Sequence, residues 1–161
     1  MTKLVKLCLV ATHGSGIVME YLLVLPVSFY RTAAGQFACE SAFAEHLREL
    51  HQRIPHQYDV IRVCGPTMPT EEYEKNKAHL GHINEDQEKI YYTALHPNTT
   101  GFVEFWRKHA FSTYRNIWQA VRGAALVHSG PSMNLFQPVE IFSVLSAFFL
   151  KKKSIAIVDI D

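Results

Sequence analysis

Residues Leu23–Leu50 read LVLPVSFYRTAAGQFACESAFAEHLREL. The stretch opens on a short apolar run, crosses a polar loop that closes at Gly35, and then becomes helical in pattern. From Gln36 to Ile54 the apolar positions Phe37, Phe43, Leu47, Leu50 and Ile54 fall on one helical face. Glu40, Glu45, Arg48 and Glu49 lie largely off that face, and Pro55 ends the run. A strand handing over to a helix is the repeating unit of an α/β protein. The free N–H groups of the first helical turn and the helix dipole make such a junction a place for a ligand phosphate. The same junction is also an ordinary connection, in which the glycine serves only the turn. Both readings of Gly35 stand. The loop contains neither G-x-G-x-x-G nor G-x-x-x-x-G-K-[ST], so it is a poor dinucleotide or P-loop fingerprint.

Outward from this unit the alternation continues. Tyr21–Val27 is continuously apolar, as in a strand buried on both faces of a parallel sheet. YDVIRVCG, Tyr58–Gly65, is a second strand. Thr70 can cap a helix starting at Glu71; the segment to Gln87 has few apolar anchors and reads as a surface helix or a mobile excursion. EKIYYTAL, Glu88–Leu95, is a third strand, and HPNTTG a loop. Phe102–Arg122 is a long helix whose recurring Phe102, Phe105, Trp106, Ala110, Tyr114, Ile117, Trp118 and Val121 are expected in the core. Gly123 ends it. AALVHSG is a fourth strand, Pro138–Leu150 another apolar helix, and SIAIVDID a fifth strand. Such alternation implies a mainly parallel sheet with helices on both faces. Right-handed crossovers gather the carboxyl ends of the strands on one edge, where ligands of such sheets bind.

Composition narrows the classes. The chain has 161 residues, 16 Lys and Arg against 15 Asp and Glu, and a formal charge of +1. That is one domain with no basic excess to argue for nucleic acid. Lys151-Lys152-Lys153 reads as a solvated helix end, where cations suit the dipole. Cys8, Cys39 and Cys64 are odd in number and share no CxxC spacing. They suggest neither a disulfide framework nor zinc, and a reducing, cytoplasmic compartment is the default. No apolar run approaches the roughly 18 residues of a membrane span. Residues 1–19 read as a flexible leader or upstream extension, or else Leu4–Val10 adds an edge strand; residues 20–161 form the domain. The chain ends as a strand reaches the ligand edge, which reads as a piece of a longer protein.

Few residues carry chemistry. His128 and Ser129 lie at the end of the fourth strand, suited to hydrogen-bonding a substrate, with His128 also a candidate base. A strand-end histidine with one satisfied nitrogen is the plainer reading. Asp159 and Asp161 fall on one face of the last strand, where a carboxylate pair could hold a metal or remove a proton, or simply meet solvent. His79 and His82 lack a third ligand. No metal and no cofactor is expected.

GQFACESAFAEHLREL after an apolar strand, YDVIRVCGP, and AALVHSGPSMNLFQPVEIFSVLSAFFLKKKSIAIVDID resemble the retaining, glycogen-synthase-like GT-B glycosyltransferases, from about Tyr21 to the end of the chain. The resemblance implies a Rossmann-like three-layer sandwich, the N-terminal, acceptor-side half of a GT-B architecture, cut before the donor-binding domain. It implies sugar transfer from a nucleotide sugar to a glycan, lipid or small-molecule acceptor in the complete protein, without a bound metal. Gly35 would then lie at the donor phosphates, and His128 and Ser129 near the acceptor. Asp159 would stand where the family commonly has the histidine that touches the donor sugar. The family's frequent second histidine is replaced by Gly130. The cleft left open by the absent half would favour a homo-oligomer. The rival reading is a non-enzymatic Rossmann-like binding or interaction domain.

Overall fold

The computed structural model describes residues 18–33, 35–54, 57–130 and 139–156. Five parallel strands form the main sheet: β1 (Glu20–Val24), β4 (Val60–Thr67), β6 (Ile90–Pro97), β7 (Leu126–Ser129) and β8 (Lys153–Ala156). Their order is β6-β4-β1-β7-β8, each neighbouring pair parallel. Counted among themselves the strands run 3-2-1-4-5, the doubly wound order of a Rossmann-like sheet. β1 lies at the centre, and Tyr21 to Val24 are all buried.

Period-two alternation in β1 divides the core into two layers. Leu22 and Val24 pack with Phe105, Ile117, Val121, Val127, Val139 and Ala147. All but Val127, which lies on β7, come from the helical layer of α4 (Phe102–Glu104), α5 (Ala110–Gly123) and α6 (Val139–Phe149), with a π-helical turn over Phe105–His109 joining α4 to α5. Tyr21 and Leu23 face the other way, into a cluster with Phe29, Phe37, Leu47, Ile61, Val63, Ile83 and Tyr92. That side is covered by α1 (Ser41–Arg53) and a three-stranded antiparallel sheet of β2 (Tyr30–Ala33), β3 (Gln36–Glu40) and β5 (Leu80–Asn84).

This small sheet corrects two expectations. The segment before α1 is a β-hairpin, not a polar loop running into a helix. Gly35 has φ +71 in its turn, a left-handed conformation that glycine adopts without a Cβ penalty. The helix begins at Ser41, after the whole of β3, so Phe37 belongs to a strand. Residues 70–87 likewise hold a strand. α2 (Thr70–Asn76) and a 3₁₀ turn lead into β5, which pairs with β3 from Leu80↔Glu40 to Asn84↔Gln36, and α3 (Glu85–Glu88) follows. β5 and the 3₁₀ turn before it are fastened to α1 through their backbone. Ser41 Oγ donates to the His79 carbonyl at 2.7 Å, and Arg48 Nη2 donates to the His82 carbonyl at 2.6 Å.

The open edge of β6 is closed by an ion pair from the same region. The register pairs Val63 with Tyr92, and the Tyr92 peptide is met on its free side by Arg31 and Glu85. Glu85 accepts the Tyr92 N–H at 2.8 Å, and Arg31 donates to the Tyr92 carbonyl at 2.8 Å. The two side chains grip each other with two bonds of 3.0 Å. Burial alone would raise the Glu85 carboxyl, but Arg31 and the Tyr92 N–H outweigh it and hold it below the usual carboxylate range. An edge strand is thus capped by side chains that imitate a neighbouring peptide.

The long helix corrects a third expectation. Phe105, Ala110, Ile117 and Val121 are buried, but Phe102, Trp106 and Trp118 are 51%, 45% and 38% exposed. The π turn adds a residue to one turn and separates a buried line from an exposed one.

Candidate functional site

In a doubly wound sheet the ligand crevice lies outside the carboxyl ends of the strands where the order reverses. Here that point is between β1 and β7. After β1 the chain follows β4: Leu25 N–H donates to the Cys64 carbonyl at 3.0 Å, Phe29 N–H to the Pro66 carbonyl at 2.9 Å, and Met68 N–H to the Phe29 carbonyl at 2.7 Å. On the other side Gly130 N–H donates to the Val24 carbonyl at 3.2 Å. The loops after β1, β4 and β6 meet in a polar cluster. Asn98 Nδ2 donates to Ser28 Oγ at 3.2 Å and to Glu72 at 2.8 Å, and its backbone N–H reaches the Thr67 carbonyl at 2.9 Å. The Glu72 carboxylate fixes the amide with its nitrogen turned that way. Asn98 Oδ1 is buried with no hydrogen-bond partner, an unmade acceptor on the ligand edge.

The residues picked from sequence do not converge on this cluster. Gly35 lies in the β2–β3 turn of the other sheet, and its carbonyl accepts the Glu85 N–H at 2.8 Å. His128 faces the α1 side and Ser129 the α6 side, as neighbours on a strand must. His128 Nδ1 and the Tyr21 hydroxyl are 2.7 Å apart. Ser129 is buried, 2.6 Å from the Ser143 hydroxyl and 3.4 Å from the Glu140 carbonyl. Asp159, with Asp161, lies outside the described residues. Among the described residues no group of three His, Cys, Asp or Glu side chains could hold a metal ion. Ser28, Glu72 and Asn98 were missed by sequence reasoning. The available signal was an asparagine just past an apolar strand, at the edge where ligands bind.

Electrostatics hold the reactive groups in quiet states. Burial, with the Tyr58 hydroxyl second, pushes Tyr21 up to about 12, so the hydroxyl that meets His128 Nδ1 keeps its proton at neutral pH. Burial, with His46 second, lowers His128 below the ordinary imidazole value. Cys39 and Cys64 are buried free thiols, each pushed up to about 12 by burial; neither is a thiolate at neutral pH.

The His128 shift has a pH consequence. An unfolded histidine takes its proton near pH 6.5, whereas the folded His128 takes it at lower pH. Between the two values the unfolded chain binds more protons, so stability falls as pH drops through that window. His128→Gln is expected to flatten the loss of stability between pH 7.5 and 5.5. Denaturant melts of both proteins at the two pH values check this, and equal losses would contradict it.

A second polar cleft, of about 250 Å³, lies between α5 and the sheet, lined by Glu20, Arg62, Thr93, Asn116 and Gln119. Its one cation is engaged internally: Arg62 Nε donates to Glu20 at 2.9 Å and Nη1 to the Thr93 hydroxyl at 3.3 Å.

No family model, curated protein or solved structure matches the chain. What stands is a mixed α/β fold with a parallel five-stranded sheet of Rossmann-like order, flanked by helices.

Proposed function

We propose that the chain is a Rossmann-like binding domain. It takes a small polar ligand at the carboxyl edge of its parallel sheet, beside the ends of β1 and β7, and does no covalent chemistry by itself. The observation that carries this reading is the strand order, whose reversal between β1 and β7 supplies the crevice of doubly wound proteins. The state of the candidate reactive groups supports it. His128 is engaged with Tyr21, Ser129 with Ser143, and both described thiols are protonated.

A finer reading keeps the same edge. In it the chain is the acceptor-side half of a GT-B glycosyltransferase, facing a nucleotide sugar held by a second domain. Asp159 would serve the donor, and His128 and Ser129 the acceptor, while Gly35 stays in the β2–β3 turn of the other sheet. The doubly wound order and the polar cluster of Ser28, Glu72 and Asn98 favour it, since hydroxyl-rich ligands are held by such groups.

Calorimetric titration with UDP-glucose, GDP-mannose, ADP-glucose, the free nucleotides and simple hexoses tests the proposal, with an assay for released nucleoside diphosphate alongside. Saturable binding of at least one probe without turnover is the expected result. Turnover above a heat-killed control, or no binding by any probe, would overturn the binding-domain reading.

A further inference from the structure

Helix α6 is built the wrong way round for a helix that simply covers a sheet. Its buried side consists of Val139, Glu140, Ser143, Ser146 and Ala147, mostly small or polar. Its large apolar residues point out: Ile141 and Leu145 are 40% and 47% exposed, Phe148 and Phe149 75% and 69%. An ordinary surface helix has the reverse distribution.

The long helix beside it adds a second stripe. Trp106 and Phe111 are five residues apart across the π turn, and Trp118 follows Phe111 by seven, two further turns. The extra residue of the π turn keeps the three on one line. Phe111 is 81% exposed. The stripes meet where Tyr114 stacks on Phe142 with ring centroids 4.1 Å apart, and Trp106 lies 6.0 Å from Tyr114. At ~200 Å² per aromatic side chain, the exposed parts of Phe111, Phe148 and Phe149 alone reach ~450 Å². With Trp106, Trp118, Ile141 and Leu145 the patch exceeds the ~300–600 Å² of an ordinary monomer's largest apolar patch.

Charge says what covers it. Residues 102–156 contain seven Lys and Arg against two Asp and Glu, whereas residues 18–101 contain seven against eleven. Of the two acids, Glu104 is paired with Lys108 at 2.9 Å and Glu140 is buried. Arg115 and Arg122 each follow an exposed aromatic, Phe111 and Trp118, by four residues, and so share its face. At the end of α6 the basic run begins two residues past Phe149. It is fixed there by a C-terminal cap in which Lys151, at φ 53, donates its N–H to the Phe148 carbonyl at 3.1 Å. Lys152 N–H reaches the Ala147 carbonyl at 2.8 Å. A second copy packed on this face about a two-fold axis would set like charges against like. Aromatic and aliphatic side chains among lysines and arginines instead match an anionic lipid surface, with the rings at the headgroup boundary and the cations on the phosphates.

We propose that the α5–α6 face docks the domain onto an anionic membrane surface. Among the described residues no helix is long and apolar enough to cross a membrane; docking through this face would lay both helices in the plane of the interface.

Flotation of the full chain with vesicles of phosphatidylcholine alone, and with vesicles one-quarter phosphatidylglycerol, tests this. Binding to the anionic vesicles and not to the neutral ones is expected, weakening about tenfold or more at high salt. Two variants should each lose at least about tenfold in binding, Phe148→Ser with Phe149→Ser through lost insertion and Lys151→Glu with Lys152→Glu through reversed charge. Circular-dichroism melts confirm that each variant is folded. Three results would overturn the proposal: folded wild-type protein that does not float with anionic vesicles, folded variants that float like wild type, or a dimer in light scattering that the phenylalanine variant dissociates while wild type ignores vesicles.

Discussion

Gly65→Ala is expected to destabilise the domain by about 3 kcal/mol, the upper part of the usual range for overpacking a core. A Cβ at this position would sit 2.5 Å from the Val27 carbonyl oxygen and 2.5 Å from Cε2 of Phe29. The carbonyl cannot rotate away, because the chain there is held to β4 by the Leu25–Cys64 and Phe29–Pro66 hydrogen bonds. Phe29 is fully buried against Phe37 and Tyr92 and has no free volume to enter. Relief requires the segment after β1 to lift from β4, which would also disturb the carboxyl edge. A loss of this size lowers the melting temperature by roughly 10 °C in a domain of this length. A calorimetric scan decides the matter, and a shift of only a degree or two would mean that the close approach of the Val27–Phe29 segment to β4 is wrong.

Glu85→Ala should have the next largest effect. Glu85 is buried, accepts the Tyr92 N–H, and holds both terminal nitrogens of Arg31. Its removal leaves a buried N–H without an acceptor on the edge strand, a loss of about 2 kcal/mol. Arg31 is 42% exposed and regains water, so its share is small. The same change should open β6 locally. Amide exchange at Tyr92 is expected to accelerate more than exchange at Val63 on the neighbouring strand. Equal protection in mutant and wild type would show that the ion pair does not cap the edge.

The two predictions rest on opposite kinds of information. The parallel sheet was legible because its strands are runs of continuous apolarity, a pattern that only burial on both faces explains. Tyr21–Val24 is the clearest case, with every residue buried. The small antiparallel sheet was not legible. Its strands span four or five residues, and β5 offers a single buried anchor, Ile83, so its stability comes from pairing with β3 and from Arg48 and Ser41 rather than from its own pattern. The edge cap could not be read either, because Arg31 and Glu85 are 54 residues apart.

The site was legible only in outline. The end of β7 was marked by His128 and Ser129, and alternation alone sends them to opposite faces. That Ser129 meets Ser143 beneath α6 depends on a helix whose orientation the sequence disguises, since its large apolar residues lie outside. The π turn left one trace in the spacing. Phe105 and Ala110, both buried, are five residues apart, a step that a regular α-helix does not place on one face.

Backbone amide chemical-shift mapping with a ligand from the titration panel locates the binding edge. Saturable shifts centred on the carboxyl edge are expected, at Leu25, Val27, Ser28, Asn98 and His128–Gly130. Shifts confined to the Arg62 cleft or to the α5–α6 face, with the carboxyl edge unmoved, would contradict this placement.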